Sequence, residues 1–149
     1  MTILSGHRIL VVEDEPIIAL NLESMLIEAG AEVIGPAMTV AAALQLAMTP
    51  GLTSAIVDLR LQNQSAHPII ECLLRHDIPF ALHSGQTEMS PESSWPDAPV
   101  LKKPANEHDI TAVLAGLRRP VAELADTSTG KHQEHERCPQ YGQDLTNRA

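Results

Sequence analysis

Five side chains in this sequence could do chemistry together if the fold brings them together: Glu13, Asp14, Asp58, Ser84 and Lys103. Carboxylates are hard oxygen ligands for a divalent cation, and an ammonium or a hydroxyl is a donor toward an anion. Taken singly, each could be an ordinary solvated loop residue. Position sets them apart: Glu13 and Asp14 follow the aliphatic run Arg8 to Val12, and Asp58 lies at the end of Ser54 to Leu59. Ser84 follows Ile78 to Leu82, and Lys103 follows Pro99 to Leu101.

Neighbouring residues of the same types read differently. Strand alternation turns Lys102 away from Lys103, as a solvated surface lysine. Glu15 reads as a helix-start acid favoured by the positive end of the helix dipole. His83, beside Ser84, reads as a loop histidine without a catalytic role. His132, His135 and Cys138 lie in a polar stretch with no matched second cluster and no packed scaffold, so polar filler is preferred to a metal site there.

The elements that must position these residues follow from periodicity and punctuation. Arg8 to Val12 reads as a buried strand, and Pro16 suits the first turn of a helix in which Ile18, Leu22, Met25, Leu26 and Ala29 recur until Gly30. Glu32 to Ile34 is a second strand before Gly35 and Pro36. Thr39 can cap a helix carrying Val40, Ala43, Leu44 and Ala47. Ala55, Ile56 and Val57 suit a strand buried on both faces of a parallel sheet. A polar loop from Arg60 to Gln64 leads to a third helix marked by Ile69, Ile70, Leu73 and Leu74, with Pro68 in its first turn. Two further strands, Ile78 to Leu82 and Pro99 to Leu101, precede a last helix with Ile110, Val113, Leu114 and Leu117, where Asn106 and Asp109 resemble a capping arrangement.

Strands alternating with helices imply an α/β fold with right-handed crossovers, a doubly wound parallel sheet and helices on both faces. In such folds functional groups gather at the carboxyl ends of the strands. The five residues above all occupy such ends.

Composition narrows the rest. The chain has 149 residues, of which 44% are hydrophobic, enough for one domain, read over residues 7–119, followed by a polar tail, 120–149, expected to be disordered. A net charge of −9 with ten dispersed Lys and Arg residues argues against direct nucleic-acid binding. Phe80, Trp95 and Tyr141 are too few to form a base-stacking platform. No apolar run approaches a membrane span and Met1 to Gly6 is unlike a signal peptide, so no membrane partner and a cytoplasmic location are expected. Cys72 and Cys138 are too few and too differently placed to suggest a disulfide framework and read as free thiols.

Val11-Val12-Glu13-Asp14-Glu15-Pro16, Ile56-Val57-Asp58-Leu59, Ser84-Gly85 and Lys103-Pro104 resemble, in order and at the proper strand ends, the four signature stretches of two-component response-regulator receiver domains. The resemblance runs from about Arg8 to Leu117. It implies a flavodoxin-like sheet of five strands in the order 2-1-3-4-5. It also implies that Asp58 is the phosphoacceptor and that Mg2+ is bound by Asp14, Asp58 and the Arg60 backbone carbonyl, with Glu13 acting directly or through water. Lys103 and Ser84 would then contact the phosphoryl group. The chemistry is consistent: a carboxylate is a weak nucleophile toward an anionic phosphoryl group, so a divalent cation must neutralise charge and align the partners.

Some positions depart from that pattern. Receivers commonly carry an aromatic residue three positions before the lysine, and here that position is Val100. Gly85 to Ala98 contains Pro91 and Pro96 and little apolar period, so the fourth helix is expected to be short or absent. A receiver subgroup shortens this helix and carries a Phe-Ala-Thr-Gly-apolar-Tyr stretch; here it reads Leu82-His83-Ser84-Gly85-Gln86-Thr87, and the short loop and Gly35-Pro36-Ala37 carry the likeness more than the motif does. Gln62 and Ala66 replace a proline and a glycine common in the loop after the acceptor.

The resemblance implies a stand-alone receiver that takes phosphate from a histidine kinase or a histidine phosphotransfer protein. It would act on an unidentified downstream protein by contact, or serve as a phosphate sink. The alternative is a receiver-fold binding module that works without phosphorylation. An enzyme acting on anything but its own acyl phosphate is not expected. A dehalogenase-type phosphatase needs a second Asp where Arg60 stands, and no Gly-rich phosphate loop is present.

Overall fold

The computed structural model describes residues 2–62, 64–85, 95 and 98–117. Expectations for the fourth-helix region, including Gln86, Thr87, Pro91 and Pro96, and for the tail with His132, His135 and Cys138, lie outside these residues.

The chain alternates strand and helix: β1 (Arg8–Val12), α1 (Pro16–Glu28), β2 (Glu32–Ala37), α2 (Val40–Leu46) and β3 (Ser54–Asp58). A short antiparallel pair follows, β4 (Arg60–Leu61) and β5 (Gln64–Ser65), then α3 (His67–Arg75), β6 (Phe80–Ser84), β7 (Val100–Lys102) and α4 (Glu107–Gly116). The main sheet is parallel with the order β2-β1-β3-β6-β7. With the small β4-β5 pair set aside, this is the flavodoxin-like order 2-1-3-4-5.

Local chemistry explains the boundaries. Pro16 occupies the first turn of α1, where its missing N–H leaves no helical bond unmade. At the other end Gly30 takes φ +99, and the N–H groups of Gly30 and Ala31 donate to the carbonyls of Ile27 and Leu26, a Schellman-type close. Thr39 caps α2 by accepting from the Ala42 N–H at 3.1 Å. Asn106 caps α4, accepting from the Asp109 N–H at 2.7 Å and donating to the Asp109 carboxylate at 3.0 Å.

The strands alternate between two cores. Leu10, Val12, Ala55, Val57, Phe80 and Leu82 pack toward α2 and α3, against Ala43, Leu44, Ile69, Ile70 and Leu73. Ile9, Val11, Ile56, Ala81 and Leu101 pack toward α1 and α4, against Leu22, Leu26, Ile110 and Leu114. Each buried Val, Leu, Ile or Phe side chain among these contributes about 1.5–3 kcal/mol on burial, which holds the strands, and so their carboxyl ends, in place.

Three sequence expectations shift. β2 continues through Gly35 and Pro36 instead of stopping before them, with a register irregularity between Leu10 and Val12; Gly35 takes φ +105, and a Cβ there would lie 2.8 Å from the Ala37 N. β6 begins two residues later than expected and runs through His83 and Ser84, since its pairing with β3 starts at Phe80 opposite Ala55. Cys72 is disulfide-bonded and not a free thiol.

Candidate functional site: an acidic pocket closed by one lysine

The carboxyl ends of β1, β3, β6 and β7 converge. Glu13 and Asp14 leave β1, and the Glu13 N–H still donates to the Ala37 carbonyl at 3.0 Å, which fixes this exit against the irregular end of β2. Asp58 is the last residue of β3, and its register partner on β6 is His83. Lys103 follows β7 directly, its N–H donating to the Ser84 carbonyl at 2.9 Å.

Lys103 Nζ lies 3.0 Å from Asp58 Oδ2, to which it donates a hydrogen bond, and 3.1 Å from Glu13 Oε1. The second contact is an ion pair without hydrogen-bond alignment, because Glu13 Oε1 has no donor among the described residues. Glu13 is fully buried and Asp58 is 3% exposed. Three backbone amides hold the acids: the Glu15 N–H on Glu13 Oε2 at 3.3 Å, the Arg60 N–H on Asp58 Oδ1 at 3.3 Å and the Gln62 N–H on Asp14 Oδ2 at 2.9 Å. The β4-β5 turn therefore clamps Asp14, a role the sequence did not suggest; Gln62 has φ 49 there.

One oxygen from each of Glu13, Asp14 and Asp58 lies within 4.8 Å of the others. With a single lysine among three carboxylates, the charges do not balance. Burial, followed by the hydrogen bond and charge of Glu13, pushes Asp58 up to about 7 despite Lys103. Burial also opposes ionisation of Glu13, but His83, Asp58, Lys103 and the Glu15 N–H outweigh it and hold that carboxyl below the usual range. Lys103 is itself shifted up: burial opposes its charge, but its two carboxylate partners prevail.

Ser84 is buried at the tip of β6, with its hydroxyl directed toward the Gly85 carbonyl at 3.5 Å. It sits at the rim, and among the described residues its hydroxyl makes no hydrogen bond to the acids. Arg60 meets Asp58 through its N–H. Lys102 is exposed, as alternation required, while Val100 packs on the α2–α3 side. His83 is not a loop residue. It is 4% exposed, with Nδ1 3.7 Å from Glu13 Oε1. Its place across from Asp58 depends on strand pairing, which no single stretch of sequence displays.

The arrangement offers hard oxygen donors for a small divalent cation and an ammonium beside the carboxylate that would react. Among the described residues no helix is long and apolar enough to cross a membrane.

Comparison with known proteins identifies the fold. No family model and no curated protein matches the chain. The solution structure of SdrG from Sphingomonas melonis Fr1 is similar with a TM-score of 0.67 and 37% identity, over 78% of this chain and 98% of that one. The solution structure of the BeF3-activated conformation of SdrG from Pseudomonas melonis Fr1 gives 0.63 and 36%, over 76% and 97%. A response regulator receiver protein from Sinorhizobium medicae WSM419 shares the fold, with a TM-score of 0.66 at 23% identity, over 74% and 93%. The chain belongs to the response-regulator receiver family.

Proposed function

We propose that this receiver accepts a phosphoryl group on Asp58 from a phosphohistidine donor, a histidine kinase or a histidine phosphotransfer protein, and signals by protein contact or drains phosphate. The observation that carries the reading is Lys103 Nζ within 3.1 Å of both Asp58 and Glu13, beside a third carboxylate, in a buried pocket at the strand ends. An Asp58 oxygen forms the new bond to phosphorus as the donor's phosphorus–nitrogen bond breaks. The electron pair stays on the donor nitrogen.

Glu13, Asp14 and Asp58 fit Mg2+ by donor type and spacing, and the Arg60 carbonyl would complete the protein ligands. The ion would supply charge neutralisation between the acceptor carboxylate and the incoming group. Lys103 holds Asp58 in place and stands ready for negative charge that develops there, and the Ser84 hydroxyl would donate to the same group if it turned from the Gly85 carbonyl. The protein has no substrate in this reading except its own side chain.

The direction of the Ser84 hydroxyl toward Gly85, together with Val100 in place of an aromatic residue, favours the second reading, a binding module that works without phosphorylation. One experiment separates the two. Incubation with phosphoramidate and Mg2+ followed by intact-mass measurement should add one phosphoryl group to the wild-type chain and none to Asp58→Asn. An unlabelled wild type would favour the binding module, and a labelled Asp58→Asn would move the acceptor elsewhere.

A further inference from the structure

His83 and Glu13 make an incomplete pair at the bottom of the pocket. His83 is the penultimate residue of β6, and its neighbours on the same strand face, Ala81 on β6 and Leu101 on β7, belong to the core beneath α1 and α4. The ring is buried there, and neither nitrogen has a hydrogen-bond partner among the described residues. Glu13 Oε1 is the complementary case, a buried carboxylate oxygen with no hydrogen-bond donor among the described residues, held by its ion pair with Lys103. The two unsatisfied atoms lie 3.7 Å apart.

Buried polar atoms are rarely left unpaired in every state of a protein. A neutral imidazole carries one N–H, and with the proton on Nδ1 it faces Glu13 as a donor. Closing the gap to a normal N–H···O distance takes roughly 0.8 Å.

Lys103 supplies the reason for closure. Its Nζ divides itself between Asp58 and Glu13, donating to Asp58. When an oxyanion is attached to Asp58, the negative charge moves outward from the carboxylate to the oxygens of the new group, and the lysine gains by following it. Glu13 then loses the lysine that pairs with its Oε1, and that oxygen stays buried. We propose that His83 is a positioning residue that donates its Nδ1–H to Glu13 Oε1 when Lys103 turns toward an anion on Asp58. This rests on the phosphorylation reading and adds a residue to it: histidine replaces lysine as the support of Glu13, so the metal-facing carboxylate keeps its orientation in the loaded state.

The test uses beryllofluoride with Mg2+, and Mg2+ alone, on the wild-type chain, His83→Leu and His83→Asn. A hydrogen bond to a charged buried group corresponds to about a tenfold effect, so His83→Leu should bind beryllofluoride about ten times more weakly. Its affinity for Mg2+ alone should stay within about twofold, because Lys103 still supports Glu13 in the free protein. His83→Asn, whose Nδ2 stands close to the position of the imidazole Nδ1, should recover most of the loss. In the wild type, a ring Nδ1–H signal of His83 should appear, protected from exchange, on adding beryllofluoride; this measurement stands even if the leucine variant does not fold.

Equal beryllofluoride affinity for wild type and His83→Leu, an equal loss of Mg2+ affinity in the free protein, or an unprotected ring proton in the loaded wild type overturns the inference. Failure of the wild type itself to bind beryllofluoride removes the phosphorylation reading and this inference together. Binding by wild type and leucine variant alike removes the inference only.

Discussion

The two ends of the sheet each hold a cation against carboxylate, and they are built to opposite rules. At the amino ends of β1 and β2, Arg8 Nε meets Glu32 Oε2 at 2.8 Å, with side chains 34% and 59% exposed. Arg8 also donates to the Pro50 carbonyl, and the Arg8 main chain exchanges hydrogen bonds with the Thr53 hydroxyl at 3.0 and 3.1 Å. One cation faces one anion in water, and the surroundings tie the strand start to the turn before β3. At the carboxyl ends, Lys103 faces two buried carboxylates with a third beside them. The first arrangement is complete. The second sets one lysine against three carboxylates, an excess of negative charge that suits the proposed uptake of a divalent cation.

The comparison breaks most visibly at Lys103. Removing one partner from a buried charge cluster leaves the rest uncompensated, so Lys103→Met should lower stability by about 3–5 kcal/mol at pH 8. The loss should shrink toward pH 5, where Asp58 can hold a proton. Denaturant unfolding at both pH values checks this, and an equal loss at both would mean that the acids do not feel the missing charge.

A smaller effect follows from Asp58 itself. Its carboxyl lies at about 7 in the folded chain against an ordinary 3.8, so the folded state binds more protons than the unfolded state between those values. Stability from this group is present in full below about pH 4 and is lost as pH rises through about 7. Three units at about 1.4 kcal/mol each set a ceiling near 4 kcal/mol, and about 2 kcal/mol is expected. Glu13 has the opposite sign, its contribution fading only as pH falls below the usual carboxylate range. Asp58→Asn should therefore be more stable than wild type at pH 8 without metal, with a flatter profile between pH 4 and 7. A variant as pH-dependent as wild type would place the proton elsewhere.

The smallest expected effect lies at the other end. An exposed ion pair is worth about 0–1 kcal/mol, so Arg8→Met should lower stability by about 1 kcal/mol and leave Mg2+ affinity unchanged. Thermal melts with and without Mg2+ decide this; a shift in metal affinity would show that the two ends communicate through β1.

Sequence patterning revealed the alternation of elements, the caps at Thr39 and Asn106 and the strand-end placement of Glu13, Asp14, Asp58 and Lys103, because each rests on local periodicity or a fixed offset. It was weaker where pairing between strands decides the outcome. The apolar run from Ile78 suggested an earlier β6, but the ladder with β3 begins at Phe80, and that shift carries His83 from an expected loop into a buried strand. The clamp on Asp14 is equally hidden, since it uses a backbone N–H at Gln62 that any residue type could supply.

The irregular end of β2 has one more consequence. β2 and β7 are the two margins of the main sheet, and a long regular margin is a template for adding a strand from another molecule. β2 carries the kink at Gly35 and, at Pro36, a residue with no N–H to offer. β7 is only three residues long, ends in the exposed Lys102 and is flanked by Pro99 and Pro104. Neither margin presents an uninterrupted ladder to a neighbour. The bend that delivers Ala37 to Glu13 thus also interrupts the ladder that an added strand would need on this margin.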